Sequence, residues 1–255
     1  MDPQFSTPVI AIGLVVTGFI AGVINTIAGG ASALTIPALI FAGLPPSVAN
    51  AANRIPVVLQ CVTSTYGFAR AGKLEGRDSI PLVLIFTIGS IPGSYAATII
   101  GDRAIEWVLV LTMLGVAFFM VFSPKFKRLH ELPPKKLTWL NGSAVFLVGV
   151  FGGLIQAGVG LLMLTVLVSL LNYDLTRATA IKIVSALLLA CAALITFIVR
   201  GFITSESLFY ALFVAIGSTS GAWVGVKLAI TRGQRLIRYT GAIMAMAASV
   251  AILLR

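Results

Sequence analysis

Long apolar runs separated by short polar loops organise this chain, at residues 8–28, 33–43, 47–69, 79–100 and 104–123, and again at 138–157, 161–171, 178–199, 205–228 and 237–254. A helix needs about 20 apolar residues to cross a hydrocarbon core. The pattern therefore predicts a bundle of membrane-crossing helices, on the order of eight to ten passes. Between the two sets lies the most polar stretch, SPKFKRLHELPPKKL, with Lys125, Lys127, Arg128, Lys135 and Lys136. It predicts a cytoplasmic linker at 124–137, joining a first transmembrane repeat over 1–123 to a second over 138–255.

The two sets resemble each other. IGSIPGSYAATII from Ile88 matches IGSTSGAWVGVKL from Ile216, and earlier in each half a Gly-interrupted run leads through a polar loop into the next span. The offset stays close to 129 residues, the mark of one unit used twice. The first block of each unit is too long for one span and too broken for a straight one. Residues 8–24 make an arm of about 25 Å and residues 33–43 one of about 16 Å at 1.5 Å per residue, so the second arm crosses only half the membrane. Each first block thus predicts a helical hairpin that turns back inside the bilayer, with apices at Asn25–Ser32 and Gln156–Gly160.

Composition makes the membrane reading firm: the chain is 58% hydrophobic and 10% charged, with a mean hydropathy of +1.05. A water-soluble globular domain is excluded. The net charge of +10 arises from Lys and Arg in the short loops, which the positive-inside rule explains without nucleic acid. With each hairpin returning to its own side, Arg70, Lys73, Arg77, the 125–136 linker, Arg177 and Lys227–Arg238 share the cytoplasmic face. No Lys or Arg precedes Arg54, which predicts an external N-terminus. Each unit then makes three net crossings, so the two point in opposite directions. The expected fold is an all-α integral membrane protein with two inverted repeats, each a broken re-entrant helical hairpin followed by three transmembrane helices, the plan of secondary transporters. The N-terminus lacks the basic residues that open a secretory signal, so the first run is expected to remain in the mature chain. Cys61 and Cys191 lie within apolar runs and read as packing residues rather than a disulfide or a metal pair.

Non-helical backbone inside a bilayer must be buried or line a cavity, so the hairpin apices are the candidate site. Gly29, Gly30, Gly158 and Gly160 let a ligand approach the backbone, and the second arms start there with the positive ends of their dipoles. Ser32 lies at the same apex. Arg54 and Lys182 sit about 10 Å and 9 Å into their spans from opposite faces, at near-equivalent repeat positions, and converge on the midplane. Intramembrane cations mark functional sites. Asn25, Asn50, Asn53 and Gln156 supply neutral donors beside them. This set points to a small anion. The eight acidic residues all fall at or beyond span ends, and His130 lies in the linker, so no embedded acid serves a proton relay, a sodium site or acid–base catalysis. No metal-ligand cluster, phosphate loop or Ser, His and Asp set is present. An enzyme is not expected, nor is a cofactor.

NTIAGGASALTIPALIFAGLPPSVANAANR, QAGVGLLMLTVLVSLLNYDLTRATAIK and GAWVGVKLAITRGQRLIR together resemble the TauE/SafE family of sulfite and sulfonate exporters. The resemblance covers nearly the whole chain. The usual run of three or four apex glycines is reduced here to Gly29 and Gly30 followed by Ala31, and the second repeat keeps Gly158 and Gly160. What the resemblance implies is export of small sulfur-containing anions, sulfite or organosulfonates such as sulfoacetate, across a bacterial inner membrane. A carboxylate or other small anion stays open as substrate, as does a non-transport scaffold or assembly factor. The expected partners are the lipid bilayer, the anion and a second copy of the chain in a homodimer.

Overall fold

A computed structural model describes residues 7–27, 29–74, 79–122 and 134–231. The elements are α1 (Thr7–Ile27), α2 (Ser32–Phe41), α3 (Pro46–Ala52), α4 (Arg54–Arg70), α5 (Ile80–Ala97), α6 (Asp102–Phe122), α7 (Trp139–Leu154), α8 (Val159–Thr165) with a wider π-helical turn at Val166–Leu170, α9 (Leu175–Val199) and α10 (Ser205–Thr231). Among the described residues every regular element is helical. Within the described residues, four helices are long and apolar enough to cross a membrane: Pro8–Ile27, Ile80–Ala97, Leu175–Val199 and Ser205–Thr231. The tenth apolar run, 237–254, and most of the basic linker lie outside the described residues.

Both first blocks are broken, as their glycines require. α1 extends to Ile27, past the expected arm end at residue 24, and Gly29 and Gly30 then take φ of 80° and 90° before α2 begins. α7 stops at Leu154, and Gly158 at φ 76° precedes α8. The second arms are short: α2 has 10 residues, about 15 Å. One predicted span is corrected. The run 47–69 is two helices, parted at Asn53. Pro56 has no N–H to bond the carbonyl four residues back and its ring crowds that carbonyl; the corresponding part of α9 has no proline and continues unbroken for 25 residues.

Glycines decide which helices pair. Gly18 and Gly22 of α1 abut Val214 and Ser218 of α10, while Gly217 and Gly221 meet Val15 and Phe19 in return. Gly149 and Gly153 of α7 abut Phe86 and Ser90 of α5, while Gly89 and Gly93 meet Phe146 and Val150. These are one interface built twice: Gly18 and Gly149 lie 131 positions apart, and Gly89 and Gly217 lie 128 apart. The single offset near 129 is therefore corrected to 131 before the apex and 128 in the helix that pairs with it.

Each first arm thus packs against the other unit's long helix, and in both pairs the residue numbers rise together, so the helices run parallel. α4 runs parallel to α10, because Pro56 meets Ser218 and Gly67 meets Val226. α9 runs against α4, with Arg54 at Phe197 and Phe68 at Ile183. α5 shares the sense of α9: Pro81 lies near Arg177 and Ser90 near Leu189. Hence α1 and α7 point in opposite directions.

Candidate functional site

The last carbonyls of a helix have no partner within it, and in α1 and α7 these ends are buried in the middle of the bundle. Each unit supplies the cation that satisfies the other's end. Arg54, fully buried, donates from one guanidinium nitrogen to the Gly152 carbonyl at 2.7 Å and from the other to Gly153 at 2.8 Å. Asn50 Nδ2 donates to the next carbonyl, Leu154, at 2.9 Å. Lys182, 2% exposed, donates from Nζ to the carbonyls of Asn25 at 2.9 Å and Thr26 at 3.2 Å. A cation at a helix C-terminus also opposes the negative end of the dipole.

The two apices touch. A Cβ on Gly29 would lie 2.7 Å from the Gly160 backbone, and one on Gly160 would lie 2.7 Å from Gly29. Gly30 faces Gly158 and Leu161. Beside this crossing is a cavity of about 20 Å³, lined by Asn25, Thr26, Gln60, Cys61, Ser64, Gln156, Val159, Gly160, Lys182, Ile183 and Ala186. That volume suits a single water, so a polyatomic anion enters only as the walls part. A second space of about 10 Å³, on the other side of Gln60, includes Ser32, Thr35, Asn53 and Ser218 in its wall.

Hydrogen bonding selects which groups face the first cavity as donors. Thr26 Oγ1 donates to Gly22 O at 2.9 Å. Its 2.9 Å contact with Ser64 Oγ therefore uses the Ser64 proton. Both hydroxyls are spent. Gln156 Oε1 accepts from Arg54, and since guanidinium has no acceptor, this bond turns the Gln156 Nε2 donors the other way. Lys182 has three donors and two carbonyl partners.

The sequence-predicted residues thus divide. Asn25, Gln156, Gly160 and Lys182 line the larger cavity, Ser32 and Asn53 the smaller. Gly29, Gly30 and Gly158 form the crossing. Arg54 and Asn50 stand behind it as caps: the two terminal nitrogens of Arg54 are engaged by carbonyls and by Gln156, and its Nε is a buried donor without a partner. Thr35 Oγ1 donates to Asn53 Oδ1 at 2.5 Å.

Sequence reasoning missed Thr26, Gln60 and Ser64, although Asn53, Gln60 and Ser64 recur at spacings of seven and four on one helical face. It also read Cys61 as a packing residue alone, whereas Cys61 lines the cavity. Among the described residues no carboxylate is buried and no three His, Cys, Asp or Glu groups gather to hold a metal. At the ends of α5, α7 and α9 a cavity of about 380 Å³ is lined by Lys135, Lys136, Tyr173 and Arg177 among others. Arg177 stacks over the Tyr173 ring at 5.2 Å.

The family model described as "Sulfite exporter TauE/SafE" matches residues 14–252. The chain is 25% identical over 240 residues to the probable membrane transporter protein ORF9 of a Sinorhizobium species, covering 94% of this chain and 91% of the relative. It is 28% identical over 224 residues to a probable membrane transporter protein of Haemophilus influenzae, covering 87% and 86%. To the probable membrane transporter protein YfcA of Escherichia coli K12 it is 27% identical over 226 residues, covering 86% and 80%. No solved structure matches.

Proposed function

The chain belongs to the TauE/SafE sulfite exporter family, it is a multi-pass membrane protein of transporter type, and from that premise we propose that it exports small sulfur-containing anions, sulfite or organosulfonates, across the bacterial inner membrane. The observation that carries this reading is the polar cavity at the crossing of two broken hairpins, where Lys182 and the amide of Gln156 present donors and, among the described residues, no buried acid competes for them. The opposite senses of α1 and α7 support an inverted-repeat transporter whose site lies where discontinuous helices meet. The basic cavity at Lys135, Lys136 and Arg177 supports a cytoplasmic mouth that concentrates anions.

Energy for export follows from the same residues. An anion leaving an inside-negative cell moves downhill by about 2.3 kcal/mol per charge per 100 mV. With no embedded carboxylate in the described residues to carry a proton or hold sodium, the proposal is voltage-driven export without obligatory coupling. Proteoliposomes loaded with radiolabelled sulfite, or with taurine, sulfoacetate or lactate, test it. Sulfite efflux rising with an imposed potassium diffusion potential supports the reading. Lactate efflux without sulfite or sulfonate efflux sinks the substrate assignment. A fixed ratio of protons per sulfite, at a pH where the substrate holds one charge, sinks the uncoupled mechanism.

A further inference from the structure

Repetition of the fold leads one to expect two equivalent anion cavities, one beside each apex, yet of the two spaces beside the crossing only the larger has a cation in its wall. Gly72 and Gly201 close α4 and α9 in the same left-handed conformation, φ 66° and 75°, and are 129 positions apart. At that register Gln60 corresponds to Leu189 and Ser64 to Ala193, both with 0% exposure. A shift of one position leaves Leu188 and Ala192, equally apolar. Leu189 reaches across to Gly152, where a Cβ would meet its Cδ1 at 2.9 Å. The guanidinium of Arg54 lies over the Phe197 ring on that side, 5.5 Å from its centre. Ala31, Asn53 and Val57, which stand at the register of Gly160, Lys182 and Ala186, line only the space of about 10 Å³, and no cation is in its wall.

Beside the larger cavity Gln60 stands out. It is 4% exposed and lines both the larger and the smaller cavity. Its amide makes no hydrogen bond to any described residue, while Thr26 and Ser64 next to it are satisfied by each other. Neither of its polar atoms is sealed away from the cavity, so the amide is free to bond a ligand there. We propose that the protein carries one anion site per chain, off the axis between the repeats, in which the Gln60 amide joins Lys182 and Gln156 as a direct donor to the bound oxyanion. The proposal rests on the anion-transport reading and adds to it the stoichiometry and a substrate-contacting residue. The acceptor it fits is a compact oxyanion with at least three oxygens, or the sulfonate end of a larger one, because three donors converge from α4, α9 and the second apex.

The test is calorimetric titration of the purified full chain in detergent with sodium sulfite, taurine, sodium nitrate and sodium formate. The variants are Gln60→Leu, which installs the residue of the other repeat, Gln60→Met, which keeps the linear shape, and Leu189→Gln. Gel filtration and the thermal midpoint report folding. Expected are one anion per chain, a Kd weakened about tenfold or more in both folded Gln60 variants, as for a lost bond to a charged group, and a Kd within about twofold of the parent in Leu189→Gln. Should Gln60→Leu misfold, Gln60→Met decides. Binding unchanged in a folded Gln60 variant, or two anions per chain in the parent, overturns the proposal. If the parent binds nitrate or formate but neither sulfite nor taurine, the sulfur assignment falls while the role of Gln60 is decided with the anion that binds. If none of the four binds, the site and the transport reading fall together.

Discussion

Arg54 illustrates how a residue changes role between sequence and structure. Its position inside an apolar span predicts a functional cation. The fold gives it orphaned carbonyls at Gly152 and Gly153 and an amide to orient. Lys182 shares the first task but also faces the cavity. The two substitutions therefore separate. Arg54→Gln leaves buried acceptors unsatisfied, which costs about 2 kcal/mol or more and lowers the thermal midpoint by several degrees, at about 2–4 °C per kcal/mol for a chain this size. Lys182→Gln weakens sulfite binding in calorimetry beyond what its own midpoint shift explains. An Arg54→Gln protein as heat-stable as the parent would show that the caps are not what hold the broken ends.

At the scale of elements, paired glycines decide which helices touch. Where Gly22 lies on Ser218 and Gly153 on Ser90, backbone meets backbone and a Cβ has no room. Gly22→Ala and Gly153→Ala force the helices apart, at a cost of about 1–3 kcal/mol each. Gly13, in the same helix as Gly22, has nothing within 4 Å of a built Cβ. Gly13→Ala is neutral or mildly stabilising, since it removes the backbone freedom of a helical glycine. Thermal melts of the three variants check this, and equal losses at positions 13 and 22 would refute the close-packed interface. The kink at Asn53 belongs to the same scale: Pro56 was visible in the sequence, but its effect was masked by the apolar run around it.

For the whole molecule, the prediction concerns sidedness. If the basic loops face the cytoplasm, cysteines placed at Arg103 and Glu206 react with an impermeant thiol reagent from outside, and those at Lys73 and Lys136 only from inside, in a background lacking Cys61 and Cys191. All four positions are exposed and described. Labelling of positions 73 and 136 from opposite faces would defeat the inverted arrangement, because α5 and α7, which start near them, run parallel and in contact.

Much of this protein was legible in one dimension, for physical reasons. Hydrocarbon thickness converts apolar run length into spans, so the helical membrane class followed from composition. Backbone that leaves a helix inside a bilayer must be announced by glycines or polar residues, so the apices at Gly29–Gly30 and Gly158–Gly160 were marked, and with them Lys182 and Gln156. What remained hidden depends on contacts between residues far apart in the chain. That Arg54 caps α7 and Lys182 caps α1 is a property of helices from different units. That Gln60 of α4 lines the cavity at Lys182, while Leu189 of α9 packs at Gly152, likewise depends on which distant helices meet. Side-chain identity sets what each position is able to do, and only the packing of α4 and α9 against the two broken helices decides which of them faces an empty space.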